Sequence, residues 1–300
     1  MKVEIINDRT YSWNYHKTSN FEAYMKGLFW YENKYYTGES ACIKLREIFN
    51  HNSININRIK EKIKKFTGHF AFIVHRSDFS IACVDKVRSF PVYYSCQNDR
   101  LYLSNSAIKL QENAKLFEKD CNSFIEFEMS GYTLGSHTLF KDLYQLQSGE
   151  CLIFSKISQT VEMFRYFRYW ADKTLNKIEE ELLHDLHEVT KKTFSNMVET
   201  LNGRPVWIPL SGGLDSRLIL SMLIELKYDN ISTYTYGLPD VWEIKRARFI
   251  TKLLNIKWHY IQFIPKLTRE YFHAKDRMNY YIFASGLNSV PHLAEYYALL

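Results

Sequence analysis

The chain is expected to fold as an α+β sandwich over residues 1–170 followed by an α/β domain with a parallel sheet over residues 171–300. Three observations lead there. The first half reads as paired strands punctuated by a few helices, and the second as short apolar strands alternating with amphipathic helices. The third is residues 207–226, WIPLSGGLDSRLILSMLIEL, which pass from an apolar run through two adjacent glycines into a helical pattern with Leu218, Met222, Leu223 and Leu226 on one side. At 300 residues the chain is long enough for two domains, each burying its own core.

Hydrophobic residues at 46% and charged residues at 24% are ordinary for a globular protein and leave no disorder signature. The 22 Tyr and 20 Phe are spread along the chain, as core and strand residues are, instead of forming one stripe. Net charge is +6, and its visible cluster, Lys60-Glu61-Lys62-Ile63-Lys64-Lys65, has helical spacing. Ile59, Ile63 and Phe66 form the opposite apolar face, so the lysines read as a solvated helix surface and not as a nucleic-acid patch. Five cysteines, an odd number with no C-x-x-C pair, argue against a disulfide framework or a zinc site and for a reducing compartment. The N-terminus lacks a long apolar segment and no stretch approaches 18 uninterrupted apolar residues, so a soluble, cytoplasmic protein with no membrane partner is expected.

Taken in order, residues 1–6 alternate as a first strand, and residues 21–36 read as two strands joined at Glu32-Asn33. Residues 41–49 suggest a helix with Ile43, Leu45 and Ile48 toward the core, and residues 54–66 a second. Residues 68–75 and 79–85 form a hairpin about Ser77-Asp78, and residues 91–95 and 100–104 another pair. After a last hairpin ending at residues 169–172, residues 177–200 carry apolar positions Ile178, Leu182, Leu186, Val189, Phe194 and Met197 at three- and four-residue intervals. Glu179, Glu180 and Glu181 open that helix, where the macrodipole favours acids. His184 and His187 lack a third ligand and read as solvated.

Residues 231–237 form the second parallel strand, so Ser211 and Gly237 open onto one crevice at the carboxyl ends of their strands. Asp240-Val241-Trp242-Glu243 has the form of a capping box starting a helix through Ala247, Ile250 and Leu253. Residues 257–263 make the third strand, and the pattern from Lys266 onward is helical and polar.

The candidate site is the turn from Leu210 through Ser211-Gly212-Gly213-Leu214-Asp215-Ser216. Two glycines let the backbone turn sharply with N–H groups inward, and Ser211 and Ser216 add hydroxyls at a helix N-terminus, which suits phosphate. No Lys follows as in the Gly-x-x-x-x-Gly-Lys loop, and the Gly-x-Gly-x-x-Gly spacing is absent. The loop resembles the S-G-G-x-D-S loop of ATP pyrophosphatases, which split ATP between its α- and β-phosphates. A carboxylate beside polyphosphate calls for a cation between them, which places Mg2+ near Asp215.

A second resemblance lies upstream. The order G-x-F-A-F at residues 68–72, Asp85, P-V-Y-Y at 91–94 and L-Y-L-S-N at 101–105 looks like the glutaminase domain of glutamine-hydrolysing asparagine synthetases. Residues 131–134, 138–143 and 146–150 resemble the stretch that closes it. With the Ser211 loop, the chain thus resembles the asparagine synthetase family. That implies an N-terminal Ntn-hydrolase-like (class II amidotransferase-like) sandwich and an adenine nucleotide alpha hydrolase-like ATP-pyrophosphatase domain. It also implies ATP and Mg2+ as cofactors and adenine at Thr235, Tyr236 and Gly237. The acidic turn at Asp240 and Glu243 would lie beside the phosphates.

The departures matter as much. Met1 is followed by Lys2 where the family's nucleophilic cysteine belongs, and no cysteine lies in the first forty residues. The R-G-P-D and N-G-E-x-Y-N segments are missing, Tyr31-Glu32-Asn33 being a partial echo. Glutaminase activity is therefore expected to be absent. Residues 293–300 resemble the helix preceding the family's Gly-rich acidic segment, which implies an incomplete chain. The resemblance implies a synthetase that joins a small carboxylic acid or peptide to ammonia or an amine. A non-catalytic nucleotide-binding protein and a tRNA-modifying enzyme are the alternatives that the same loop allows.

Overall fold

The computed structural model describes residues 1–50, 55–171 and 174–299. Ile54, read as the start of a helix, and Asp172, read as the end of a hairpin, lie outside the described residues. The chain forms two compact units, Met1–Trp170 with Tyr281–Pro291, and Ala171–Tyr280 with His292–Leu300.

The first unit is a mixed α/β assembly on two sheets. Strands β1 (Lys2–Ile6), β2 (Asn14–Thr18), β3 (Phe21–Tyr31), β4 (Lys34–Thr37), β5 (Thr67–Arg76) and β6 (Phe79–Val84) come first. They are followed by β7 (Tyr93–Gln97), β8 (Arg100–Ser104), β9 (Tyr144–Gln145), β10 (Glu150–Ser155) and β11 (Thr160–Arg165). One sheet runs β1-β8-β7-β9; the larger runs β11-β10-β6-β5-β3-β2, with β4 beside β3. Only β1 with β8 is a parallel pair among the strands of these two sheets.

Side-chain alternation explains the layering. On β5, Phe70, Phe72 and Val74 face one core, with Ala23, Met25 and Phe29 of β3 and with helices α1 (Gly38–Phe49) and α2 (Ile56–Ile63). Ala71 and Ile73 face the other way, onto Leu101 and Leu103 of the smaller sheet. Helix α3 (Ala107–Ala114) covers the far side of that sheet through Leu110 against Tyr93 and Tyr102. The order helix, sheet, sheet, helix results. Helix α4 (Cys121–Ser130) is capped by Asp120, whose side chain accepts from the Ser123 N–H at 2.9 Å. The turn after β6 is held by buried Asp85, whose carboxylate accepts from the N–H groups of Phe70 (2.9 Å), Val87 (2.8 Å) and Ser89 (3.0 Å).

Some expectations are corrected here. Ile43 is 39% exposed and leaves the α1 core to Ala41, Cys42, Leu45, Ile48 and Phe49. The last hairpin ends at Arg165, and Tyr169 and Trp170 stand in solvent. The lysine cluster is only partly the solvated face expected: Lys64 and Lys65 are exposed, whereas Lys62 is half-buried and donates to Ile48 O. Ile59, Ile63 and Phe66 are buried, while Lys60 pairs with Glu162 and Lys64 with Glu61.

The second unit begins with helix α5 (Glu179–Leu201) and a parallel sheet of β12 (Val206–Pro209), β13 (Ile231–Gly237) and β14 (Lys257–Gln262), in that order. Helices α6 (Leu214–Glu225) and α7 (Trp242–Leu253) connect the strands. One sheet face buries Ile208, Leu210 and Ile231 under Leu220 and Leu223 of α6, Ala247 of α7 and Met197, Val198 and Leu201 of α5. Leu218, read as facing inward, is 49% exposed, because α6 is apolar nearly all round and turns Leu220, Met222 and Leu223 to the core instead. Of the apolar row on α5 only its C-terminal end packs; Leu186 and Val189 stand in solvent, and Ile178 is the residue before the helix. His184 and His187 are exposed, His187 lying 3.9 Å from Glu225. Helices α8 (Pro265–His273), α9 (Lys275–Ser285) and α10 (Leu293–Leu299) follow. Among the described residues no helix is long and apolar enough to cross a membrane.

Candidate functional site

The register of β12 on β13, Pro209 opposite Tyr234, carries the chain out at the carboxyl edge with Leu210, whose N–H still donates to Tyr234 O at 2.8 Å. The Thr235 hydroxyl donates to Leu210 O at 2.7 Å and accepts from Trp258 Nε1 at 2.9 Å. Thr235 is thereby a buried strut tying the end of β12 to β13 and β14, its hydroxyl spent within the fold. Leu210 itself is buried, so of this pair only backbone is offered to the edge.

Beyond Leu210 the two serines close the loop on itself. The Ser216 Oγ accepts from the Ser211 N–H at 3.1 Å and lies 3.2 Å from Ser211 Oγ, which in turn accepts from the Gly213 N–H at 3.1 Å. Gly213 is the N-cap of α6 and supplies no side chain to the helix, so the amides of the first turn have no side-chain acceptor. Uncapped amides and the positive end of the macrodipole favour an anion there. Arg217 Nε donates to Gly213 O at 2.8 Å, which brings a guanidinium to the mouth of the loop. Asp215, in the first turn, is exposed.

Gly212 is glycine for a reason absent from local sequence. A Cβ there would stand 2.3 Å from Cζ3 and 2.4 Å from Cη2 of Trp242, whose ring lies against the loop backbone. That ring comes from the first turn of α7, and the chain reaches it by a turn that overturns one expectation. Asp240 has φ 66° after Pro239, the positive-φ place of a type II turn, so it cannot be the extended N-cap of a capping box. Val241 is the N-cap, with no side-chain hydrogen bond, and Glu243 sits in the first turn.

Gly237 ends β13 at φ 146° and its carbonyl accepts from Tyr260 OH at 3.1 Å and the Phe263 N–H at 2.8 Å. Tyr236 is half-buried and stacks on Phe263, centroids 5.6 Å apart at 16°. Ser211 thus lies just beyond β12 and Gly237 at the end of β13, its parallel neighbour. Trp242, Arg217, Tyr260 and Phe263 were not singled out from sequence. Arg217 had a readable signal, four residues beyond Gly213 on a helix; Tyr260 and Phe263 arrive through the pairing of β14 with β13 and Trp242 on the first turn of α7, and these three have none. Among the described residues no group of three His, Cys, Asp or Glu side chains forms a metal site. Mg2+ carried on polyphosphate needs only one or two protein carboxylates, and Asp215 fits that lesser demand.

Comparison with known proteins bears on the segment that holds this loop. Residues 166–279 match the family model described as asparagine synthase. No curated protein matches the chain. Among solved structures it is similar to glutamine phosphoribosylpyrophosphate amidotransferase from B. subtilis complexed with ADP and GMP. The identity is 12% over 85% of this chain and 51% of that one, with a TM-score of 0.30. It is also similar to a structure described as the allosteric regulatory enzyme of purine biosynthesis, at 12% identity over 81% of this chain and 45% of that one, TM-score 0.30. The chain spans about half the length of the solved structures it matches. The residues matched by the asparagine synthase family model, 166–279, contain the Ser211 loop and all three strands of the parallel sheet.

Proposed function

We propose that the protein is an ATP-dependent synthetase that forms an amide from a carboxylic acid and ammonia or an amine. The observation that carries this reading is the loop at residues 211–216, where two cross-bonded serines and a glycine N-cap leave the first amides of α6 open at the carboxyl edge of a parallel sheet. A carboxylate is a poor acyl donor because its leaving group is oxide, and adenylation supplies a better one. The substrate carboxylate oxygen attacks the α-phosphorus of ATP. The bond from that phosphorus to the bridging oxygen breaks, and pyrophosphate departs toward the loop amides and Arg217. The amine nitrogen then adds to the acyl carbon and AMP leaves, the surplus proton passing to solvent. Mg2+ near Asp215 would offset the charge of the departing pyrophosphate. Tyr236 and Gly237, at the end of the neighbouring strand, would receive the adenine.

The nitrogen source in this reading is free ammonia or an amine on the substrate. The first cysteine of the chain, Cys42, is buried on α1, and burial pushes its thiol up to about 12, so it offers no thiolate for glutamine hydrolysis. Pyrophosphate exchange into ATP, with carboxylic acids supplied one at a time, tests the proposal. Exchange with a carboxylic acid, together with slower hydrogen exchange across residues 210–216 on adding ATP and Mg2+, is the expected result. Exchange that requires RNA would move the chain to the nucleic-acid-modifying class. ATP that leaves the loop unprotected overturns the reading altogether.

A further inference from the structure

The edge that holds the loop continues into a cavity whose chemistry narrows the acid substrate. Phe263 follows β14 directly, its N–H bonded to Gly237 O, and its ring rests against Tyr236. The same ring meets Tyr297 of α10 edge-on, centroids 4.9 Å apart at 88°, and Tyr297 meets Tyr271 of α8 edge-on at 5.2 Å and 83°. Phe263, Tyr271, Phe272, Leu293, Tyr296 and Tyr297 line most of a cavity of about 180 Å³. Thr268 and Ala294 complete its wall. One cation stands at that wall: the Arg277 guanidinium carbon lies 4.2 Å from the centroid of the Phe272 ring. Phe263 is therefore common to the cavity and to the ledge proposed for adenine.

An engineered apolar cavity of about 150 Å³ stays dry and takes up benzene, so this volume suits one aromatic ring or a branched aliphatic group. Aromatic walls reward such a group and penalise an ionised one placed among them. Resting on the synthetase reading above, we propose that the cavity receives the aromatic or branched aliphatic side chain of the acid that is activated. The substrate is then an apolar carboxylic acid, or a peptide residue of that kind, and not free aspartate.

The test measures equilibrium binding of 3-phenylpropionate, propionate and aspartate to the full chain in the presence of ATP and Mg2+. Burying one ring predicts that 3-phenylpropionate binds at least about tenfold more tightly than propionate. Ala294→Trp and Thr268→Phe, which fill the cavity from two helices, should each reduce that ratio to below about threefold while the thermal transition is retained. Equal binding of the two acids, or a ratio that survives both substitutions, overturns the inference. Protection of the loop by ATP is recorded on the same samples. ATP protection with aspartate bound more tightly than 3-phenylpropionate sinks the cavity assignment alone. Loss of ATP protection with the tenfold preference intact sinks the synthetase reading instead.

Discussion

Gly212→Ala isolates the contact that shapes the loop. The backbone of Gly212 lies outside the left-handed region, so alanine is not excluded by conformation. The obstacle is steric. The new Cβ would sit 2.3 Å from the Trp242 ring, where ordinary contact begins near 3.4 Å, so the ring must retreat by about 1.1 Å. Trp242 is 61% exposed, and its far edge moves toward water with little loss of burial. The cost should fall at the low end for overpacking, about 1 kcal/mol. Trp242→Ala removes the obstacle, so the cost of Gly212→Ala should largely vanish in that background. Urea unfolding followed by circular dichroism on all four chains of the double-mutant cycle gives the coupling directly. Agreement of the two costs within about 0.3 kcal/mol would falsify the assignment of Gly212 to Trp242 packing.

Three further outcomes are expected. Ser216→Ala removes the acceptor of the Ser211 N–H and should cost about 1 kcal/mol in urea unfolding, with faster exchange at the Ser211 amide; unchanged exchange would contradict the loop geometry. Asp85→Ala removes the acceptor of three backbone N–H groups, that of Phe70 buried and those of Val87 and Ser89 within reach of water, and should lower stability by about 1–3 kcal/mol in urea unfolding; unchanged stability would count against this anchor. Asp120 caps α4, and its backbone hydrogen bond from Ser123 holds the carboxyl below its ordinary value of 3.8. A carboxyl lowered on folding stabilises above its unfolded value and loses that contribution as pH falls through the folded one. Asp120→Asn should therefore flatten the dependence of the melting temperature on pH below about 4, and an unaltered slope would count against the cap.

Much of the fold was legible because its cues are local. The strand at β5 is apolar on both faces, and Glu32-Asn33, with φ of 52° and 63°, forms the tight turn between β3 and β4 expected of it. Errors arose where the apolar pattern overfilled a helix. Helix α6 carries leucines on nearly every side, and periodicity could not choose Leu220 over Leu218. The apolar row on α5 spans two-thirds of the helix, yet only its end meets a core. Strand β2 and helices α3 and α4 were not read at all. Each is short, five to ten residues, with too few repeats for a period to stand out.

By itself the order of residues determined the alternation of strands and helices in each half and the turn from β12 into α6. Those depend on steric and hydrogen-bonding preferences confined to a few neighbouring positions. Tertiary structure alone decided that Trp242 lies on Gly212, that Thr235 ties Leu210 to Trp258, and that Phe263 joins Tyr236 to a cavity. Such partners are some 23 to 30 residues apart and meet because adjacent strands fall into register and α7 packs back on the sheet they form. The register follows from burying one face of the whole sheet, and no short window of sequence contains that face.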